Sequence, residues 1–265
     1  MLQEIAIHTK ERIELQKRAM PPNQVIEMAQ LTCEGGIPCL PDFAFEKAIR
    51  SDDMAFICEV KKASPSKGII TVPFHYLDIA KEYEEAGAAA ISVLTEPHYF
   101  KGNDIYLREI ANTVSIPVLR KDFTIDSYMI YEAKLLGASA ILLICAILDK
   151  DTLAEYITIA HSLGLSALVE THTKEEVDMA MAAGSRIIGV NNRNLETFEV
   201  DISLSKQLRK MVPKDILLVS ESGIRCADDI KMLRQHNVDA VLIGETLMRS
   251  SNKKAMVDEL KGDSP

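Results

Sequence analysis

A chain of 265 residues, 47% of them apolar and 26% charged, has the balance of a globular protein, with neither collagen-like nor disordered bias. The length exceeds the usual domain size, yet barrels of alternating strands and helices routinely reach it as one domain. A formal net charge of −9 argues against a sequence-independent nucleic-acid binder, which needs a basic stripe to displace counterions from phosphates.

The first 50 residues read as an appendage. The opening MLQEIAIHTKERIELQKRAMPP has heptad-like helical patterning and lacks the charged-then-apolar order of a signal peptide. Pro21, Pro22, Gly35, Gly36, Pro38 and Pro41 then break the pattern. No apolar run anywhere reaches the roughly 18 residues of a membrane span, so a cytoplasmic protein without membrane attachment is expected. The five cysteines, Cys33, Cys39, Cys58, Cys145 and Cys226, are odd in number and scattered, which disfavours a disulfide framework. Cys33 and Cys39 lack a second pair at zinc spacing and the histidines do not cluster, so no metal is expected.

From residue 56 the chain becomes repetitive in plan: a short apolar run, a polar loop, an amphipathic helical stretch, then a turn. The runs are FICEV (56–60), AISVL (90–94), PVLR (117–120), AILLI (140–144), SALVE (166–170), IIGVN (187–191), ILLVS (216–220) and AVLIG (240–244). Several are continuously apolar and rich in β-branched residues, as parallel strands buried on both faces should be. The helical stretches between them include HYLDIAKEYEEAG, DSYMIYEAKLLGA and KEEVDMAMAAGS, many closing on a glycine suited to a helix end. Eight such units fit a closed (β/α)8 barrel better than an open doubly wound sheet, which usually stops at five or six strands. The open sheet is the runner-up, weakened by the lack of GxGxxG after the first strand. Residues 1–265 are therefore expected to form a single (β/α)8-barrel domain, with residues 1–50 as a helical extension over the barrel mouth.

Barrel chemistry stands at the C-terminal ends of strands, and here those ends are polar. The first carries Glu59 and Lys61, the third Arg120, Lys121 and Asp122, the fifth Glu170, the sixth Asn191, Asn192 and Arg193, and the seventh Glu221 and Ser222. Charges leaving an apolar strand are costly to bury without partners. A ring of rim salt bridges would explain any one of them, whereas five strands polar at the same end point to a common mouth. The loop EVKKASPSKG after the first strand can offer Ser64 and backbone amides to an anion, with Lys61 alongside. After strands seven and eight, SESGI and LIGETLM place Gly223 and Gly244 where backbone N–H groups commonly hold a phosphate; helix-capping glycines are the plainer alternative. The backbone of Glu245, rather than its carboxylate, is expected to face such an anion.

EVKKASPSKG, VLRKDF, LVETH, GVNNRNL, VSESGI and LIGETLM, in this order, resemble the motifs of the indole-3-glycerol phosphate synthases, and the leading helices resemble that family's N-terminal extension. The resemblance covers essentially the whole chain. It implies a carboxy-lyase of tryptophan biosynthesis that cyclises, decarboxylates and dehydrates 1-(2-carboxyphenylamino)-1-deoxyribulose 5-phosphate, with no cofactor or metal. It further implies Lys121 as principal general acid and Lys61 as a second lysine, on the substrate carboxylate or the leaving hydroxyl. Glu170 would move later protons, Glu59 and Glu221 would orient the lysines and bind substrate, and Asn191 would hydrogen-bond the reacting hydroxyl. Arg193 and Ser222 match substrate-binding positions, and Ser64, Gly223 and Gly244 lie nearest the phosphate. Phe123 and Leu195 would meet the aromatic ring, a role that core packing explains almost as well. Ala63 and Asn103 depart from frequent family residues.

Either lysine would be a better acid near neutral pH if burial or a neighbouring cation lowered its pKa. Other phosphosugar barrels, such as phosphoribosylanthranilate isomerase, rely on Cys/Asp or paired Asp groups, from which the Lys/Glu/Asn set points away. A catalytically silent ligand-binding barrel is the reading of a different class. Contact with other enzymes of the tryptophan pathway is a further expectation.

Overall fold

The computed structural model describes residues 2–33, 40–51, 53–194 and 197–262. Among the described residues three helices precede the first barrel strand: α1 (Leu2–Ala19), α2 (Pro22–Cys33) and α3 (Ala44–Ile49). Then come β1 (Ala55–Val60), a loop holding the small antiparallel hairpin of β2 (Ala63–Ser64) and β3 (Gly68–Ile69), and α4 (Tyr76–Glu85). The alternation continues with β4 (Ala90–Leu94), α5 (Asp104–Ala111), β5 (Val118–Lys121), α6 (Tyr128–Leu135) and β6 (Ala140–Ile144). A single 3-10 turn at Cys145–Ile147 leads into α7 (Lys150–Ser162) and β7 (Ser166–Thr171). The last units are α8 (Lys174–Ala182), β8 (Ile187–Asn191), α9 (Ser203–Arg209), β9 (Leu217–Glu221), α10 (Ala227–Gln235), β10 (Ala240–Ile243), α11 (Glu245–Arg249) and α12 (Lys253–Lys261).

Eight parallel strands close on themselves in the order β1-β10-β9-β8-β7-β6-β5-β4, and all eight apolar runs of the sequence form strands within one residue of their expected bounds. Side chains alternate across a strand, so each strand serves two cores. On β1, Phe56, Cys58 and Val60 join the apolar layer beneath the helices, whereas Ala55 and Ile57 face the barrel axis with Leu119, Leu168, Val219 and Leu242. Continuous burial on both faces is why these runs lack the apolar-polar alternation of a half-exposed strand. Gly87 and Gly137, after α4 and α6, take left-handed φ values of 78° and 85°, the conformation that ends a helix without a Cβ clash.

The N-terminal helices divide between different places. Leu2 and Ile5 of α1 reach the cavity at the barrel mouth. Ile13 of α1 and Val25 of α2 pack on Tyr128 and Met129 of α6, on the flank. By contrast, α3 sits at the opposite end, where Phe45 and Ile49, both 0% exposed, join the axial core. The Glu46 amide donates to Ser166 Oγ at the start of β7, and its carboxylate lies 3.1 Å from Arg186 just before β8. The described residues before β1 thus serve both ends of the barrel, because the apolar pair on α3 finds its cover at the N-terminal ends of the strands. Among the described residues no helix is long and apolar enough to cross a membrane.

Candidate active site

Along the axis, inward positions change from apolar to ionisable as each strand rises. Ile57 is followed two residues later by Glu59, Leu119 by Lys121, Leu168 by Glu170 and Val219 by Glu221. These side chains line one cavity of about 590 Å3 together with Lys61, Ser64, Phe123, Asn191, Arg193, Ser222, Gly223, Gly244 and Glu245. The strand periodicity that builds the core therefore carries the charges into one place. Leu195 lies outside the described residues, as does Cys39.

Two lysine–carboxylate groups face each other across this cavity. Lys61 Nζ lies 2.5 Å from Glu59 Oε1. Lys121 Nζ donates to Glu221 Oε2 and lies 3.4 Å from Glu170 Oε2. Glycines make the room: a Cβ on Gly189 would stand 2.3 Å from Glu221 Oε1, and one on Gly244 would stand 2.3 Å from Glu59 Oε1 and 2.8 Å from Lys61 Nζ. Gly244 therefore admits the Lys61–Glu59 pair, a constraint that acts whether or not an anion approaches its backbone.

The condition that would make Lys121 a stronger acid, a lowered pKa, is not met. Burial opposes the Lys121 ammonium, but Glu221, Glu170 and Glu59 outweigh it and hold its pKa above the ordinary lysine value. The cost of concentrating carboxylates falls on Glu221 instead. Burial pushes it up, Lys121 pulls it down, and Glu170 and Glu59 add to the rise, leaving it at about 7. Near neutrality Lys121 is therefore charged, and Glu221 takes up a proton as pH falls through about 7.

On the side of β9 and β10, Ser222 and Gly223 follow their strand with φ values of 68° and 87°. Asn192 Nδ2 holds this turn, donating to Ser220 Oγ at 2.9 Å and to the Ser222 carbonyl at 3.0 Å. A Cβ on Gly223 would meet Val200 at 2.3 Å, so the position needs glycine for both conformation and space. The Glu245 carboxylate is taken up by cations, 3.1 Å from Arg249 Nε and 3.7 Å from Lys67 Nζ. These outweigh its partial burial and keep it below the ordinary glutamate range. Ser64 stands in the β2–β3 hairpin on the facing wall.

The aromatic wall pairs Phe123 with Phe100, ring centroids 6.0 Å apart. Phe100 also lines the cavity, from the loop after β4 rather than from a strand end, where the sequence pattern carries no signal for it. Leu2 and Ile5 of α1 were missed for a related reason: nothing in a heptad pattern says which face meets a cavity.

Not every polar strand end enters the mouth. Arg120 and Asn192 point the other way from Lys121 and Asn191, as period-two alternation requires. Arg120, 2% exposed, lies 2.8 Å from both Asp104 and Glu132. Asp122 lines the cavity but spends its carboxylate on Arg12 of α1 at 2.8 Å and Thr95 Oγ1 at 2.5 Å. Burial works against that charge, and Arg12 and Arg120 outweigh it, holding the carboxyl below the usual aspartate range. The two departures noted in the sequence lie apart from the charged pairs. Asn103 caps α5 through Ile105 N at 2.8 Å, the work a serine does at such a position, and Ala63 is buried. Among the described residues no group of three or more His, Cys, Asp or Glu side chains is arranged to hold a metal ion.

Comparison with known proteins bears on this constellation. The chain matches the family model described as indole-3-glycerol phosphate synthase over residues 2–260. It is 58% identical to the indole-3-glycerol phosphate synthase of Ruminiclostridium cellulolyticum, over 100% of both chains. It is 50% identical to that of Lachnoclostridium phytofermentans, over 98% of each. Among solved structures, a tryptophan synthase alpha-subunit variant from Pyrococcus furiosus superposes with a TM-score of 0.60 at 15% identity, covering 79% of this chain and 98% of that one. That likeness speaks for the barrel alone. With a family model matched over nearly its whole length and full-length relatives at half identity or more, the chain belongs to the indole-3-glycerol phosphate synthase family.

Proposed function

We propose that the facing lysine–carboxylate groups carry out the ring closure, decarboxylation and dehydration of 1-(2-carboxyphenylamino)-1-deoxyribulose 5-phosphate to indole-3-glycerol phosphate, in the cytoplasm. The observation that carries the residue assignment is the contact of one buried ammonium, Lys121, with two carboxylates, Glu221 and Glu170, on the cavity wall.

Ring closure turns a carbonyl oxygen into a hydroxyl, and a positioned acid lowers that barrier. Lys121 is that acid: its charge is maintained by Glu221 and Glu170, and it sits on a rigid strand opposite Lys61. Lys61, held by Glu59, binds the substrate carboxylate until carbon dioxide leaves, or assists departure of the hydroxyl. Glu170 takes the proton released as the new ring becomes aromatic. Asn191 hydrogen-bonds the reacting hydroxyl, and Glu221 and Glu59 orient the lysines. The phosphate rests against Ser64, Ser222, Gly223 and the backbone at Gly244 and Glu245, with Arg193 nearby. Phe123 packs on the aromatic ring.

A fluorescence assay for indole formation on the purified chain tests substrate and reaction together. The expected outcome is saturable indole production with release of carbon dioxide. Isomerisation without carbon dioxide would place the enzyme among the other phosphosugar barrels.

A further inference from the structure

Behind Glu170, on the side away from Lys121, stands a histidine with no role in the reading above. His172 follows β7 by one residue, and its side chain is 14% exposed. Its Nε2 lies 3.7 Å from Glu170 Oε1 and its Nδ1 3.4 Å from Glu176 Oε2. Both ring nitrogens are buried, and each has a carboxylate as its nearest partner without a well-aligned hydrogen bond. Glu176 is fixed at the first turn of α8: its carboxylate accepts the His172 amide at 2.5 Å while Thr173 caps the helix. Its side chain is 19% exposed. The groups thus run from solvent to the cavity in the order Glu176, His172, Glu170, Lys121.

The substrate arrives with an ionised carboxylate that departs as neutral carbon dioxide, so each turnover takes one proton from solution. Within the site two protons are delivered, to the carbonyl oxygen and to the leaving hydroxyl, and one is recovered as the ring becomes aromatic. One acid must therefore be recharged every cycle.

We propose that His172 and Glu176 form the proton-supply relay that recharges Lys121 through Glu170; the proposal rests on the assignment of Lys121 and Glu170 as the proton-transferring pair. Glu176 takes a proton from solvent and passes it to Nδ1 as Nε2–H passes one to Glu170. Glu170 then hands its proton to the Lys121 amine, and exchange with water, one proton leaving Nδ1 as another joins Nε2, restores the starting tautomer. No bond other than N–H and O–H changes and no electrons are transferred between groups. Each gap exceeds hydrogen-bond length by less than about 1 Å, and catalytic hydrogen bonds are commonly long in an unliganded enzyme.

The charges around His172 suit a proton carrier. Glu170 faces it from β7, Glu176 from α8 and Glu221 from β9, with Lys121 of β5 beyond the carboxylates. Cys145, in the turn after β6, packs on α8 at Glu176 and stays a neutral thiol, pushed up to about 12 by burial with Glu176 and Glu170 adding. Burial opposes charge on the imidazole, and the carboxylates outweigh it, so His172 titrates above the ordinary histidine value. As an imidazolium it is available through neutrality and is lost at alkaline pH.

His172→Asn and Glu176→Gln test the relay in the full chain, with kcat followed against pH by indole fluorescence. The expected result is a kcat about tenfold below the parent near neutrality, converging with it in acid, where solvent supplies protons directly, and again at alkaline pH, where the parent imidazole is neutral too, with KM within about twofold. Added imidazole should restore the His172→Asn rate in proportion to its concentration. An unchanged pH profile, or a loss that is uniform in pH and indifferent to imidazole, overturns the relay and leaves His172 a packing residue. Glu170→Gln, run alongside, separates the two readings: parent-like turnover there would remove Glu170 from proton transfer altogether. A slow Glu170→Gln with a parent-like His172→Asn profile would remove only the relay.

Discussion

The two ends of the barrel solve the same geometric problem with opposite chemistry. At the lower end the strands open on alanines, Ala55, Ala90, Ala140 and Ala240, and the space these leave is filled by Phe45 and Ile49 of α3. At the upper end the small inward residues are Gly189 and Gly244, and the space they leave is filled by the carboxylates of Glu221 and Glu59. One end is sealed by apolar side chains from outside the barrel. The other is held open by ionisable side chains that balance one another. Stability and chemistry are thereby assigned to different layers of one structure, as in other enzymes of this architecture.

The sharpest way to break that division is at its charged end. Lys121→Ala should lower turnover by about two orders of magnitude or more with a milder effect on KM; single-turnover indole fluorescence reads this directly, and near-normal turnover would refute the acid role. The complementary change is at the sealed end. Phe45→Ala removes a fully buried ring and should cost about 3–5 kcal/mol of stability, measured by urea unfolding, while kcat well below the melting temperature stays near the parent value. A comparable loss of kcat in that variant would show that the ends are coupled. The smallest effect is on pH dependence. Free-enzyme titrations appear in kcat/KM, and Glu221 binds a proton as pH falls through about 7, releasing its hold on Lys121. The parent kcat/KM should therefore decline below about pH 7, and Glu221→Gln should flatten that acidic limb at a lower plateau.

The barrel was legible because each of its strands is buried on both faces, so the eight apolar runs stand out whatever surrounds them. The same alternation made Glu59, Lys121, Glu170 and Glu221 readable as a group, once the strand ends were known. It equally separates Arg120 from Lys121 and Asn192 from Asn191, a distinction that depends on the phase of each strand and not on residue type. Arg12, 110 residues from its partner Asp122, looks like any solvated arginine on an amphipathic helix. Phe100 belongs to a loop, whose path the sequence pattern does not describe. The placement of α3 under the barrel hangs on two apolar residues in a six-residue helix, too short a segment for periodicity to say where it docks.

Gly189 and Gly244 also limit how this protein can be improved. Filling small voids is an ordinary route to a sturdier core, and glycines inside a barrel look like natural targets. Here an added methyl would collide with a carboxylate oxygen, so tighter packing of the upper layer displaces a charged side chain from its present place. Engineering for heat resistance has its free positions in the alanine layer below, where volume can be redistributed between strand and plug without displacing a charge.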